Sequence, residues 1–406
     1  MSKLAINGAH ALGNAANCRH LDWPPVSATT ADKLKELYLS RAWSFNSQTE
    51  QDFEKAFAEH HGAKYAIFMS NGTVTLECAL EALGIGPGDE VIVPALTWIA
   101  TAMAVRYVGA KLVFADIAAD TFTLSPAAVQ AAITPRTKAI IPVHLYGSIA
   151  DLEQLLALSK KHGLALIEDC AHMQGGQWQN RGVGSWGDIG SFSFQQSKTL
   201  ASGEGGICLT NDALLAEKLY RCKHIGYSRY DKQGQAGTPP PPGLTCHNYR
   251  GTAFQALLLN EQLPELPQLL QKYQAFVDIL QKNCRDIPGF RLQAPGRLAS
   301  RQGYYALGMV FEGEQWERFS VTRIHEAIVA EGAVAISKTY GPVYRHLLFN
   351  LAPEDYTLPV GSCPVCEKLC ERALVIMHYG LYYPETAQTL AAIIHKIWEN
   401  REELKA

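Results

Sequence analysis

From Tyr65 to Leu209 the chain alternates short apolar runs with stretches of helical periodicity. The runs are Tyr65–Met69, Val91–Val93, Lys111–Phe114, Ala139–Val143, Leu164–Ile167, Gly190–Phe194 and Gly206–Leu209. Most are separated by segments with apolar residues at helical spacing: Thr73–Leu83, Ile99–Val108, Pro126–Ile133, Leu152–His162 and Ala213–Cys222. Runs without polar alternation fit strands covered on both faces, so the pattern predicts an α/β fold with a seven-stranded, mostly parallel sheet. Upstream, EQDFEKAFAEH places Phe53, Phe57 and Ala58 on one helical face, with Gly62 as its stop.

The pattern then changes. Residues 231–243, DKQGQAGTPPPPG, have no apolar period and four consecutive prolines, which predicts an extended surface loop. Helical periodicity resumes at Thr252–Leu259 and continues, with a break at Pro264 and Pro267, to about Asn283. Strand-like runs follow at Tyr304–Phe311, Val334–Ile336 and Leu374–Met377, with helices near 322–331 and 386–399. A large domain over 1–250, including an N-terminal arm, and a smaller α+β domain over 251–406 are expected.

Composition narrows the classes. With 406 residues, 47% of them hydrophobic, the chain can bury one large core and a smaller one. A net charge of −3 gives no electrostatic case for nucleic acid or an anionic membrane. No run of about 18 apolar residues occurs, which removes a membrane-spanning helix. The first 20 residues hold one lysine and no long apolar core, unlike a signal peptide. Ten cysteines sit mostly in apolar segments, as expected of reduced thiols in a cytoplasmic protein.

Chemistry concentrates between Leu164 and Gly206. The run LALI ends in Glu168-Asp169, and GSFSF leads to Lys198, 29 residues beyond Asp169 and just before Gly203-Glu204-Gly205-Gly206. A strand-end carboxylate and a lysine beyond the next strand suit pyridoxal 5'-phosphate. The amine forms a Schiff base with the cofactor aldehyde, and the carboxylate keeps the pyridine nitrogen protonated. Three motifs stand in order: Glu168-Asp169-Cys170-Ala171-His172, Gly187-Asp188-Ile189-Gly190-Ser191-Phe192-Ser193-Phe194, and Lys198 through Gly206. Together they resemble the DegT/DnrJ/EryC1/StrS aminotransferases, the sugar and cyclitol branch of fold-type I pyridoxal phosphate enzymes. The likeness extends from Trp43 and Phe53, through Pro142–Gly147, to Tyr383-Pro384.

The resemblance implies a seven-stranded large domain, a smaller α+β C-terminal domain, and a homodimer with shared active sites. It also assigns roles. Lys198 and Asp169 are the catalytic pair. Ser70-Asn71-Gly72-Thr73 sits between a strand and a helix, where free amides meet an anion. By itself that junction is an ordinary helix cap; the family makes Gly72 and Thr73 phosphate contacts. Trp98 reads alone as a core tryptophan, and by resemblance as the aromatic that stacks on the cofactor ring. His172 corresponds to a His or Gln near the cofactor's phenolic oxygen, and Ser193 to a phosphate donor. Ser193 alternates with Phe192 and Phe194, as a strand with one face on the cofactor requires. Cys246-His247-Asn248-Tyr249-Arg250 resembles G-x-N-Y-R-[ML], whose asparagine reaches the neighbouring subunit's phosphate; His247 and Gly251 depart from it.

Two further patterns carry less. Gly182-Val183-Gly184-Ser185-Trp186-Gly187 matches G-x-G-x-x-G but leads into a strand, so a dinucleotide site fails its context. Cys363, Cys366 and Cys370 would need a fourth ligand, such as His378, to hold zinc; Cys366 and Cys370 instead share a helix face, and no metal is expected. Lysine at 198 argues for transamination over dehydration, since dehydratases of this group carry histidine there. LDWPP near the start, SRAWS at 40–44 and LVIMHYGLYYPE at 374–385 resemble the cyclitol aminotransferases. The expected reaction moves an amino group from glutamine or glutamate to a ketone of a cyclitol or keto-sugar. The rivals are a nucleotide-linked keto-sugar aminotransferase, an aminohydroxybenzoate synthase-like dehydrating enzyme, and a non-enzymatic cofactor-binding homologue.

Overall fold

The structure, a computed structural model, describes residues 3–232, 234–235, 237–358 and 361–405. Gln233 and Ala236 of the proline-rich stretch therefore lie outside the described residues. Helices α1 (Ala28–Ser40) and α2 (Gln48–His61) precede the first strand. The order continues β1 (Tyr65–Met69), α3 (Gly72–Ala82), β2 (Glu90–Pro94), α4 (Ile99–Tyr107), β3 (Lys111–Ala115), α5 (Pro126–Ala132) and β4 (Thr137–Ile140). Next come α6 (Leu152–His162), β5 (Ala165–Asp169), β6 (Gln177–Trp178), β7 (Arg181–Gly182), β8 (Ile189–Ser193), β9 (Gly206–Thr210) and α7 (Ala213–Lys223). The later part holds α8 (Ala253–Gln262), α9 (Leu266–Cys284), β10 (Phe290–Leu292), β11 (Ala299–Arg301), β12 (Ala306–Phe311) and α10 (Glu314–Glu317). It closes with α11 (Val321–Ala330), β13 (Ile336–Lys338), β14 (Tyr356–Thr357), α12 (Pro364–Cys370), β15 (Ala373–Met377) and α13 (Thr386–Glu399).

The large sheet runs β1-β9-β8-β5-β4-β2-β3-β14. Pairing is parallel from β8 to β14, and β9 is antiparallel to both neighbours. All seven expected strands are present. The eighth, β14, is a two-residue strand from the later half of the chain, too short to carry any period. Because β1, β8, β5 and β2 point the same way, their C-terminal ends open on one edge, where ligands of such sheets bind.

One face of this sheet is an aromatic wedge. Phe53 and Phe57 of α2 are fully buried against Phe68 of β1, Phe192 of β8 and Phe194, with ring centroids 5.0–5.4 Å apart for the Phe53–Phe68, Phe57–Phe192 and Phe57–Phe194 pairs. Each such ring contributes roughly 1.5–3 kcal/mol by leaving water. Lys223 at the end of α7 is buried beneath it and donates to Glu50 (2.8 Å), Glu54 (3.2 Å) and the Phe68 carbonyl (2.7 Å). Three acceptors satisfy a cation that could not otherwise sit there.

The smaller sheet is antiparallel, in the order β10-β12-β15-β13, with α9 and α13 packed together beside it. Its β13 begins at Ile336 rather than Val334, because Gly332 (φ +94°) and Ala335 (φ +61°) turn the chain just before it. Helix α1 has no counterpart in the apolar pattern. Leu37 is its one buried side chain, so it shows almost no stripe, and the Ser27 hydroxyl caps it through the Thr30 amide. No helix among the described residues is long and apolar enough to cross a membrane.

Candidate active site

A cleft of about 990 Å³ lies at the C-terminal ends of β1, β2, β5 and β8, closed from the small-sheet side by Tyr305 and Tyr340. Lys198, Asp169, Gly72, Thr73, Trp98, His172 and Ser193 all line it, and Asn248 does not.

Asp169 is the last residue of β5, so the sheet fixes its carboxylate at the cleft floor. Its Oδ1 accepts the Ala171 amide at 3.1 Å, the strand-end turn that a bare sequence reading allows. Its Oδ2 accepts the Thr101 hydroxyl at 2.8 Å, and the Thr101 and Thr97 hydroxyls are 2.9 Å apart. Burial pushes the Asp169 carboxyl up, while the bonds from Thr101 and Ala171 and the charge of Lys198 oppose that rise.

Lys198 follows β8 in a tight turn, its amide on the Gln195 carbonyl at 2.8 Å. The side chain is buried, and among the described residues its ammonium makes no hydrogen bond. Nζ lies 4.5 Å from the Tyr305 ring centroid, a cation–π contact. Burial depresses its pKa to about 8, against the pull of Asp169. An amine so placed is poised for a partner the chain does not supply.

His172 stacks on the same Tyr305 ring, centroids 3.9 Å apart and planes 20° apart. Its Nδ1 accepts the Tyr146 amide at 3.4 Å. Burial, then the neighbouring Lys198 charge, lowers the imidazole's pKa well below its ordinary value, which favours the neutral ring. A neutral ring that accepts at Nδ1 carries its proton on Nε2, which makes His172 a donor.

At the far end, Asn71 caps α3 with its Oδ1 on the Thr73 and Val74 amides, each at 3.0 Å. The ordinary capping role is thus filled. Gly72, Thr73 and Ser193 line the cleft beside that cap. Glycine is needed here: a Cβ at Gly72 would stand 2.5 Å from Ser193 Cβ, and one at Gly206 would stand 2.5 Å from the Asn71 carbonyl carbon. Trp98 is not a core side chain. It is 44% exposed and flanked by Tyr340 and His346, with centroids at 5.4 and 5.8 Å.

Asn248 is exposed, on a bridge to His224 at the end of α7. The Gly182–Gly187 loop cradles a carboxylate and no phosphate: Glu168 accepts the amides of Gly184, Trp186 and Gly187, each at 2.8 Å, and His144 Nε2 at 3.2 Å. Cys366 is buried in the core on α12, and Cys370 bonds the Tyr340 carbonyl. His378 stands elsewhere, bonded to Tyr273 and the Ser197 carbonyl. Thr97, Thr101, Tyr305 and Tyr340 belong to the site without any motif marking them. They reach it from separate elements, and only their partners give them meaning.

Comparison with known proteins places this geometry. A sequence profile described as the DegT/DnrJ/EryC1/StrS aminotransferase family matches residues 26–395. The chain is similar to an L-glutamine:2-deoxy-scyllo-inosose aminotransferase of Micromonospora echinospora, 35% identical over 434 aligned positions and covering 100% of both chains. Among solved structures it is similar to an aminotransferase from Psychrobacter cryohalolentis, with a TM-score of 0.84 and 31% identity over 94% of this chain and 99% of that one. It is also similar to 3-amino-5-hydroxybenzoic acid synthase, with a TM-score of 0.81 and 30% identity over 93% and 99%.

Proposed function

The chain belongs to the DegT/DnrJ/EryC1/StrS aminotransferase family, and from that premise we propose that it moves the amino group of glutamine or glutamate to the ketone of a cyclitol, using pyridoxal 5'-phosphate. It would act in the cytoplasm as a homodimer. The bound cofactor supplies an electrophilic aldehyde and an electron-withdrawing ring. The residues present fit it: a buried amine without a hydrogen bond, a buried carboxylate opposite, and a glycine cradle beside two hydroxyls. Lys198 would hold the aldehyde carbon and Asp169 the ring nitrogen. Gly72, Thr73 and Ser193 would hold the phosphate, with Trp98 on the ring and His172 donating from Nε2 to its phenolic oxygen.

Lys198 also does the proton work. With its pKa near 8, a useful share of the amine is unprotonated at neutral pH. It can then take a proton from the donor's α-carbon and deliver one to the carbon that receives nitrogen. The Thr101 hydroxyl and the Lys198 charge oppose the rise that burial imposes on the Asp169 carboxyl, and a carboxylate at this position would favour a protonated ring nitrogen. Tyr305 and His172 stack as one wall of the site and would orient the groups bound against them.

One observation supports a cyclitol over a nucleotide-linked sugar. Lys198 is the one lysine or arginine among the described residues that line the cleft, while Glu77, Asp169 and Glu204 add negative charge. With Lys198 committed to the cofactor, a diphosphate would meet no further lysine or arginine among the described lining residues; a neutral polyol needs none. Exposed Asn248, off the cleft, supports a second subunit completing the phosphate end.

A panel of ketones tests the reading. Protein loaded with pyridoxal phosphate and glutamine should aminate scyllo-inosose or 2-deoxy-scyllo-inosose. Amination of nucleotide-linked keto-sugars alone would move it to the rival class, and aromatic product formation would make it a dehydrating enzyme.

A further inference from the structure

Two of the segments that resemble the cyclitol aminotransferases meet in space. Residues 21–25, LDWPP, lie against the turn that follows β15, within LVIMHYGLYYPE. The Leu21 amide bonds the Tyr379 carbonyl at 2.9 Å, Arg19 lies 4.3 Å from the Tyr383 ring centroid, and the Trp23 ring meets His378 edge-on at 4.4 Å. Both side chains then point at the loop that carries Lys198. Trp23 Nε1 donates to the Gln196 carbonyl at 3.0 Å, and His378 Nε2 donates to the Ser197 carbonyl at 2.9 Å. His378 can donate there because its Nδ1 accepts the Tyr273 hydroxyl at 3.2 Å, which fixes the tautomer. The Ser197 hydroxyl is 3.2 Å from the hydroxyl of Tyr305, whose ring lies under the Lys198 ammonium.

We propose that Trp23 and His378 are positioning residues, which hold the two carbonyls preceding Lys198 so that its amine stands at the cofactor site. The inference rests on the proposed use of pyridoxal phosphate. Nothing in the loop's own sequence anchors these carbonyls. Gln195 Oε1 takes the Ser197 amide at 2.8 Å and its hydroxyl at 2.7 Å, which shapes the turn but leaves the carbonyls free. An N-terminal strap and a C-terminal turn, more than 350 residues apart in sequence, supply the two missing donors. A misaligned amine reacts slowly even when the cofactor binds.

The test uses the full-length protein stripped of cofactor. Trp23→Phe keeps a ring and loses one donor; His378→Phe loses the other, and His378→Gln restores an N–H. Added pyridoxal phosphate is followed by absorbance and by borohydride trapping on Lys198, beside the thermal midpoint and glutamine kinetics. Trp23→Phe and His378→Phe should each slow covalent uptake and kcat about tenfold with glutamine KM little changed. His378→Gln should recover most of the loss. Wild-type uptake rates in folded Trp23→Phe, or a loss in His378→Phe that Gln does not restore, would overturn the inference. If wild-type protein traps no cofactor on Lys198, the functional reading itself fails, which is a separate outcome.

Discussion

At the scale of single residues a buried amine and a buried acid set the chemistry of the cleft. Desolvation disfavours the charged form of each, so it lowers Lys198 to about 8 and raises Asp169. Only the unprotonated amine attacks an aldehyde, so the rate of covalent pyridoxal phosphate uptake should rise with pH and level off above about 8. At pH 6 it should be roughly a hundredfold below the plateau. Stopped-flow absorbance across that range checks it, and a midpoint near the ordinary lysine value of about 10.4 would show the amine is not desolvated. The same shift sets a stability slope. Folded protein prefers the neutral amine, so the penalty is full below about 8 and fades as pH rises toward the unfolded value. Lys198 and Asp169 were readable because sequence spacing ties both to strand ends. Thr101 was not: a threonine inside a helix carries no sign until Asp169 is found 2.8 Å away.

At the scale of elements the instructive case is Glu168. It stands next to Asp169 in β5 yet faces the Gly182–Gly187 loop rather than the cleft. Burial would raise its pKa, but the bonds from His144, Gly187 and Gly184 hold it below the ordinary carboxylate range. It is therefore an internal anion that fixes the loop leading into β8, and β8 carries Ser193 and delivers Lys198. Glu168→Gln turns an N–H toward amides already donating, and should destabilise the fold by about 3 kcal/mol. Thermal or urea unfolding reads this directly, and an unchanged midpoint would remove Glu168 from the scaffold. This loop's glycine pattern was legible as punctuation, and its failed dinucleotide context was legible too. Its real partner, a carboxylate upstream in the chain, was not. The strands β1 to β9 could be traced because apolar runs mark them, whereas α1 and β14 bury too little to leave a mark.

At the scale of the whole molecule, the cleft lies between the large sheet and the four-stranded sheet, and one predicted contact falls outside it. Tyr305 and Tyr340 come from the small-sheet side, so the site exists only when both halves of the chain are folded together. Asn248 is exposed and off the cleft, which fits service to a second copy's phosphate end. Mixed dimers decide this. In the proposed homodimer, Lys198→Ala and Asn248→Ala should each impair activity when both subunits carry the change. Co-refolded heterodimers should regain one site with both residues intact, about half the wild-type activity per dimer if one site of two is restored. No recovery on mixing would confine the site to a single chain.

Following the nitrogen decides whether Lys198 carries out an amino transfer. Purified protein with pyridoxal phosphate, glutamine isotopically labelled at the α-amino group and 2-deoxy-scyllo-inosose should give a labelled aminocyclitol by mass spectrometry, and Lys198→Ala should give none. An unlabelled product, or equal labelling by Lys198→Ala, would contradict it.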